Sequence, residues 1–228
     1  GGNSGAFVVA TNASWGIDGA DHTDFPLWCA IYDSLGTEGV LNCGATANNN
    51  VDIDVVDDMP TGCESDFMIS VTATNTSDMR TFSGYGATTI DVGAPGENIY
   101  TTQIGGGYGF TSGTSFASPL TAGVIALLYS APCASLMDLV HSDPMAGALY
   151  VREALFEGVE QVGNLPGNTV TGGRINSHHS LLYILDNCGA CPGATGLAAT
   201  NPAIGASDLS WSSSSPGPFN LRYRTNGL

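Results

Sequence analysis

The feature that most constrains this chain is an alternation of short apolar runs with helical patterns. Ala6 to Ala13 (AFVVATNA) is an apolar, β-branched run that reads as a buried strand. Phe25 to Leu35 (FPLWCAIYDSL) has helical spacing and stops near Gly36 and Gly39, and Val40 to Ala45 (VLNCGA) is a second buried strand. Strand, helix, strand is the pattern of a crossover between parallel strands, whose sheet must be covered on both faces. Phe67 to Ala73 and a run around Thr89 to Val92 continue as strands, and Ser115 to Ser130 reads as a helix packed on that sheet. Beyond Pro132, Leu136 to Val140, Ala148 to Val159 and Asn176 to Leu185 read as further helices. The class is α/β with a parallel sheet.

Composition narrows the function. The 228 residues carry 21 acidic and 5 basic side chains, a formal charge of −16, and every basic residue is Arg. Such a surface excludes nucleic-acid binding through a basic face. No apolar run reaches the ~20 residues of a membrane helix. A lysine-free acidic surface, together with six cysteines, fits an oxidising, extracellular setting.

Composition changes at Cys188-Gly-Ala-Cys191-Pro192. The expected organisation is an α/β domain over 1–187, a Cys/Pro linker over 188–193, and a partial all-β module over 194–228 with strands near Thr195, Ser207 and Phe219.

The strongest chemical signal is Gly113-Thr-Ser115-Phe-Ala-Ser-Pro119 directly before an apolar helix. A hydroxyl in the first helical turn lies at the positive end of the helix dipole, among backbone N–H groups that have no helical partner and are able to hold an oxyanion. Gly113 is expected to give a sharp entry, and Pro119 falls early enough to leave the helix intact.

This segment resembles the nucleophile motif of subtilisin-like serine peptidases. Three others match in order: Asn12-Ala-Ser14-Trp15-Gly16 resembles their substrate-binding strand, Ala45-Thr46-Ala-Asn48-Asn-Asn their oxyanion-asparagine loop, and Asp91-Val-Gly-Ala-Pro-Gly96 the turn before the nucleophile. The resemblance covers 1 to about 187 and implies a three-layer subtilisin-like fold. It implies Ser115 as the nucleophile and Asn48 as the side-chain oxyanion donor, with Ser14, Trp15 and Gly16 along the substrate and Ala45 and Thr46 as one wall of the pocket for the residue before the cut. The family usually has Gly where Ala47 stands.

The family's Asp and His have no counterpart here. His22, His141, His178 and His179 stand outside the expected motif and are assigned surface or capping roles, so the sequence reads as the C-terminal part of a catalytic domain, inactive by itself, with Asp and His upstream. A sedolisin-type peptidase would place Asp where Asn48 stands; a catalytically dead scaffold is the rival outside the enzymes. The chemistry requires no cofactor. Structural Ca²⁺ is an option for the acidic run Asp52, Asp54, Asp57 and Asp58, although solvated acid is favoured there, and Asp91 matches a position near a weak cation site in some relatives. Structural bridges are expected from Cys29 or Cys43 to Cys63 and from Cys133 to Cys188 or Cys191. From Pro192 the tail resembles the first half of a fibronectin type III domain, with Leu197, Trp211 and Tyr223 as core positions. The resemblance implies a secreted, monomeric endopeptidase acting on proteins or peptides.

Overall fold

The structure is a computed structural model that describes residues 7–188 and the backbone of Thr195–Ala203 and Ala206–Ser212. It divides into two units, Gly1–Cys188 and Gly189–Leu228.

The first unit opens with β1 (Ala10–Ala13), the two-residue β2 (Ile17–Asp18), a short 3₁₀ turn over His22–Asp24, and α1 (Pro26–Thr37). It continues through β3 (Leu41–Ala45), the single turn α2 (Ile53–Val56), β4 (Asp58–Met59), β5 (Met68–Thr74) and β6 (Val92–Pro95). A hairpin of β7 (Ile99–Thr102) and β8 (Tyr108–Thr111) leads into α3 (Thr114–Tyr129), followed by α4 (Ala134–Ser142), α5 (Pro144–Glu157) and α6 (Ser177–Asp186). The second unit contains an antiparallel pair, β9 (Thr195–Ala203) and β10 (Ala206–Ser212). The expected strand near Phe219, and Pro192 and Tyr223, lie outside the described residues.

Four strands form one parallel sheet in the order β1-β3-β5-β6. Every residue of β3 and β5 is buried, as a sheet covered on both faces requires. Helix α3 packs along all four strands and turns Ala117, Thr121, Ile125 and Leu128 inward, a stripe at helical spacing. Leu41, Ile69, Val71 and Val92 of the sheet meet Ile125 and Leu128 of α3, Val151 and Leu155 of α5, and Ile184 of α6 in one core. Burying such side chains contributes roughly 1.5–3 kcal/mol each.

Several local expectations change. The strand expected around Thr89 to Val92 starts at Val92, because the Ile90 and Asp91 carbonyls accept from the Val170 and Thr171 N–H groups, outside the sheet. His141 belongs to the last turn of α4 instead of following the helix. The β7–β8 hairpin was not anticipated; its loop holds Gly105, Gly106 and Gly107 at φ of 86°, 94° and 91°, a run that glycine adopts readily.

Among the described residues two disulfides are formed, Cys29–Cys63 and Cys133–Cys188; Cys191, the other partner weighed for Cys133, lies outside them. Cys43, weighed as a partner for Cys63, is a buried free thiol in β3. Among the described residues no single helix is long and apolar enough to cross a membrane.

Candidate active site

The site forms where β1 and β3 end. Their parallel ladder runs to the pair Ala13 and Gly44 and stops. Beyond it the two chains separate, Ser14–Gly16 on one side and Ala45–Ala47 on the other, and the N-terminus of α3 bridges them. Crevices outside the carboxyl ends of parallel strands are the usual ligand sites of such sheets.

Helix α3 carries both bridging contacts in its first turn. The Thr114 hydroxyl donates to the Thr46 carbonyl at 2.6 Å, and the Ser115 hydroxyl lies 3.4 Å from the Ser14 carbonyl. The Ser14 hydroxyl donates in return to the Ser115 carbonyl at 3.0 Å. That acceptor is free because its helical donor would be the N–H of residue 119, and Pro119 has none. Pro119 thus leaves the helix continuous and releases one carbonyl for the neighbouring strand. Asn12 completes the anchor, accepting from the Ser118 hydroxyl at 2.7 Å.

Asn48 serves as a cap from a distance. The N-cap residue of α3 is Gly113, which has no side chain to supply one, and the Thr114 N–H instead donates to Asn48 Oδ1 at 2.9 Å. The Thr114 hydroxyl approaches the same oxygen at 3.2 Å. An amide accepting through Oδ1 must present Nδ2 elsewhere, and among the described residues Nδ2 has no hydrogen-bond partner. Neither has the Ser115 N–H, which lies among the first four of the helix. Asn48 and Ser115 are thereby brought to one helix terminus. Gly113, expected to give a sharp entry to the helix, is extended at φ 163° and ψ 151°.

The remaining predicted site residues are placed as follows. Gly16 lies so close to the Met59 carbonyl that a Cβ would stand 1.8 Å from its oxygen, which only glycine avoids. Trp15 is 66% exposed and stacks on Trp28 with ring centroids 4.8 Å apart. Ala45 and Thr46 are buried; the Thr46 hydroxyl is turned to Asp58 at 3.3 Å and its N–H donates to Val71. Thr46 therefore shapes the crevice from within and offers no free hydrogen-bonding group to its surface.

No described histidine reaches Ser115. His22, expected to serve only at the surface or as a cap, is half-buried with Nδ1 2.6 Å from Asp57 Oδ2. Asp21, His22 and Asp57 bring possible metal-ligand atoms within 4.8 Å of one another. The run Asp52, Asp54, Asp57 and Asp58 does not converge on a common point. Asp52 caps the Asp54 N–H, Asp54 accepts from Thr88, Asp57 holds His22, and Asp58 is buried. Among the described residues those four carboxylates form no single cluster of possible ligand atoms, and Asp58, buried, corrects the reading of the run as solvated acid.

Asp58 and Asp91 are the perturbed acids. Burial pushes Asp58 up to about 6, opposed by the Thr61 hydroxyl and reinforced by the Asp18 charge. Burial pushes Asp91 up to about 7, opposed by the Ser70 N–H, which donates to Oδ2 at 2.7 Å, and by the Arg152 charge. Asp91 lines a cavity of about 910 Å³ with Asp21, Asp33, Asp54, Glu64 and Asp66. Neither Ser14, Asn48 nor Ser115 lines it, so this acidic cavity is separate from the serine and its asparagine.

A serine at the start of a buried helix is thus bridged to two strand ends and joined there by a distant asparagine. The profile of the Subtilase family, peptidase family S8, matches residues 3–159. The chain belongs to the subtilase family. It is 32% identical over 123 residues to Subtilisin-like protease 2 of Plasmodium falciparum, covering 52% of this chain and 9% of that protein. It is 40% identical over 98 residues to Alkaline serine protease ver112 of Corniculantispora psalliotae, covering 42% of this chain and 24% of the relative. The subtilase chain thus spans less than a quarter of the length of either. Its fold is shared with the A-subunit of the AB5 toxin from E. coli, at a TM-score of 0.62 and 21% identity over 79% of this chain and 63% of that one.

Sequence reasoning missed Asp58 as part of this crevice. The adjoining Thr61, three residues on, was the available signal, since a hydroxyl at that spacing offers a buried carboxylate a local donor.

Proposed function

We propose that this chain forms the serine-bearing part of a secreted subtilisin-like endopeptidase. The observation that carries the reading is the α3 terminus, where Ser115 and the capping Asn48 stand together with an unpartnered N–H on each. In this reading the Ser115 Oγ attacks the scissile carbonyl of a peptide held along Ser14–Gly16, and the carbonyl oxygen, gaining charge, is met by the Ser115 N–H and Asn48 Nδ2. Collapse of that intermediate expels the amine and leaves an ester on Ser115, which water hydrolyses. A serine hydroxyl needs a base, and the reading assigns the histidine and its orienting aspartate to sequence preceding Gly1; residues 1–228 alone are then inactive.

No cofactor enters these steps, and bound Ca²⁺ would be a structural addition. Two disulfides and the acidic, lysine-free composition support an extracellular setting. The sedolisin alternative requires an acid in place of the Asn48 amide. In the full-length protein, cleavage of an unstructured protein substrate should disappear in Ser115→Ala, with the fold retained by circular dichroism. A folded variant that still cleaves would remove Ser115 from the chemistry and leave the scaffold reading for this site.

A further inference from the structure

Beneath the crevice lies a carboxylate that the reaction above does not use. Asp58 is 1% exposed, and its Oδ1 has no hydrogen-bond partner among the described residues. Thr61 and Thr46 both donate to Oδ2, and the Ala47 N–H lies near enough to favour the ionised form without completing a bond. The charge that acts on it most is that of Asp18, another acid. Buried carboxylates are ordinarily paired or fully hydrogen-bonded, so one left half-satisfied beside a second acid calls for a cation.

Its position says where that cation comes from. After Ala13 and Gly44 the walls of the crevice diverge, and the short antiparallel ladder of Ile17 with Met59 and Asp18 with Asp58 runs across below them. Pro60 and Thr61 pass directly under Gly44, at 3.3 and 3.2 Å from where its Cβ would be. The segment from Asp58 to Thr61 therefore lies against both walls, at Gly16 through the Met59 carbonyl and at Gly44 and Thr46, and forms the floor between them. The carboxyl of Asp58 reaches up to the Thr46 wall itself.

We infer that Asp58 is a specificity determinant, accepting the guanidinium or ammonium of an Arg or Lys that immediately precedes the bond to be cut. This rests on the peptidase reading of Ser115 and names its substrate class. The unpartnered Oδ1 supplies the acceptor, Thr46 and Thr61 hold Oδ2 and fix the carboxylate plane, and Asp18 adds to the negative potential. A Leu or Phe delivered to the same floor would bury the carboxylate with no counter-charge, which discriminates against it as well as favouring the cation.

The test is a peptide library, varied at the residue before the cut, incubated with the full-length protein and three variants: Asp58→Asn, Asp18→Asn and Ser115→Ala. The wild type should favour Arg and Lys over Leu by ~100-fold or more in kcat/KM, since a site built around a buried polar group rejects residues that leave it unpaired. Asp58→Asn should lose that preference while still reacting with a fluorophosphonate, which shows the fold and nucleophile intact. Asp18→Asn should retain most of the preference. In parallel, benzamidine, an aryl amidinium, should protect wild type against fluorophosphonate labelling and fail to protect Asp58→Asn. Labelling with no basic preference, or with a preference that survives in Asp58→Asn, overturns the assignment of Asp58 alone. Absence of labelling in the wild type overturns the peptidase reading and this inference with it. Should Asp58→Asn fail to fold, benzamidine protection of the wild type still decides: none, at concentrations that saturate amidinium sites, contradicts the cation pocket.

Discussion

The Ser14 hydroxyl donates to the Ser115 carbonyl at 3.0 Å, and that carbonyl is available only because Pro119, four residues on, cannot donate to it. The proline thus exchanges a helical bond for a tertiary one that ties the end of β1 to the first turn of α3. Ser14→Ala should lower stability by about 1 kcal/mol, the net worth of one such bond. In a Pro119→Ala background residue 119 regains its N–H and satisfies the carbonyl, so the same Ser14→Ala change should cost markedly less, with only the exposed bond from Asn12 Nδ2 left to lose. A double-mutant cycle by denaturant unfolding measures this, and equal penalties in the two backgrounds would contradict the exchange.

Asn48 caps the Thr114 N–H through its Oδ1, and the proposed function gives its Nδ2 a second, separable duty at the oxyanion. Asn48→Asp keeps the acceptor and removes the donor, so stability should hold within about 0.5 kcal/mol near neutral pH while turnover falls on the order of 10²–10³-fold, the usual loss for one oxyanion-hole donor. Asn48→Ala should lose turnover similarly and also destabilise by about 1 kcal/mol. Unfolding curves beside steady-state kinetics separate the two; full activity in Asn48→Asp would clear Asn48 of the oxyanion role.

The two raised carboxyl groups predict a pH dependence opposite to ordinary acid denaturation. Asp58 at about 6 and Asp91 at about 7 hold protons that the unfolded chain, near 3.8, has already released. The folded state binds more protons in that interval, so their contribution to stability is complete below 3.8 and is lost as pH rises toward 7. Asp21 and Asp54 are lowered, and what they contribute is lost only as pH falls below the ordinary carboxylate range. Chemical unfolding between pH 4 and 8 should show stability declining through this window, and Asp91→Asn should flatten the slope. An unchanged slope in Asp91→Asn would mean that the buried carboxyl titrates normally.

The bridges join residues 34 and 55 apart in sequence. Removing either should cost about 4 kcal/mol by loop-closure entropy. Replacing Cys133 and Cys188 by Ala should bring that loss in denaturant unfolding, whereas Cys43→Ala, which breaks no bridge, should cost only the packing of one small buried side chain. Equal losses in the two would contradict the pairing.

How much of this was legible in the sequence follows from what each feature depends on. Local patterns were readable. The apolar runs of β3 and β5 and the helix after Ser115 announce themselves because burial on both faces demands continuous apolar residues. The hairpin was not, since Ile99–Thr102 and Tyr108–Thr111 are short and mixed, and only the three glycines between them signalled a reversal. Asp58 was hidden for a different reason. In a run of four aspartates the only local mark of the buried one is the hydroxyl of Thr61 three residues on, and the rest of its environment is supplied by Ile17–Asp18 and Thr46 across the fold. The cap on Thr114 was likewise invisible as a cap, because its donor and acceptor lie 66 residues apart.

The most direct test of the central claim is to react the full-length protein with a fluorophosphonate and map the adduct by mass spectrometry of its peptides. The account predicts a single modified residue, Ser115, with labelling slowed sharply in Asn48→Ala. A phosphonylated residue elsewhere, or a rate indifferent to Asn48, would contradict it.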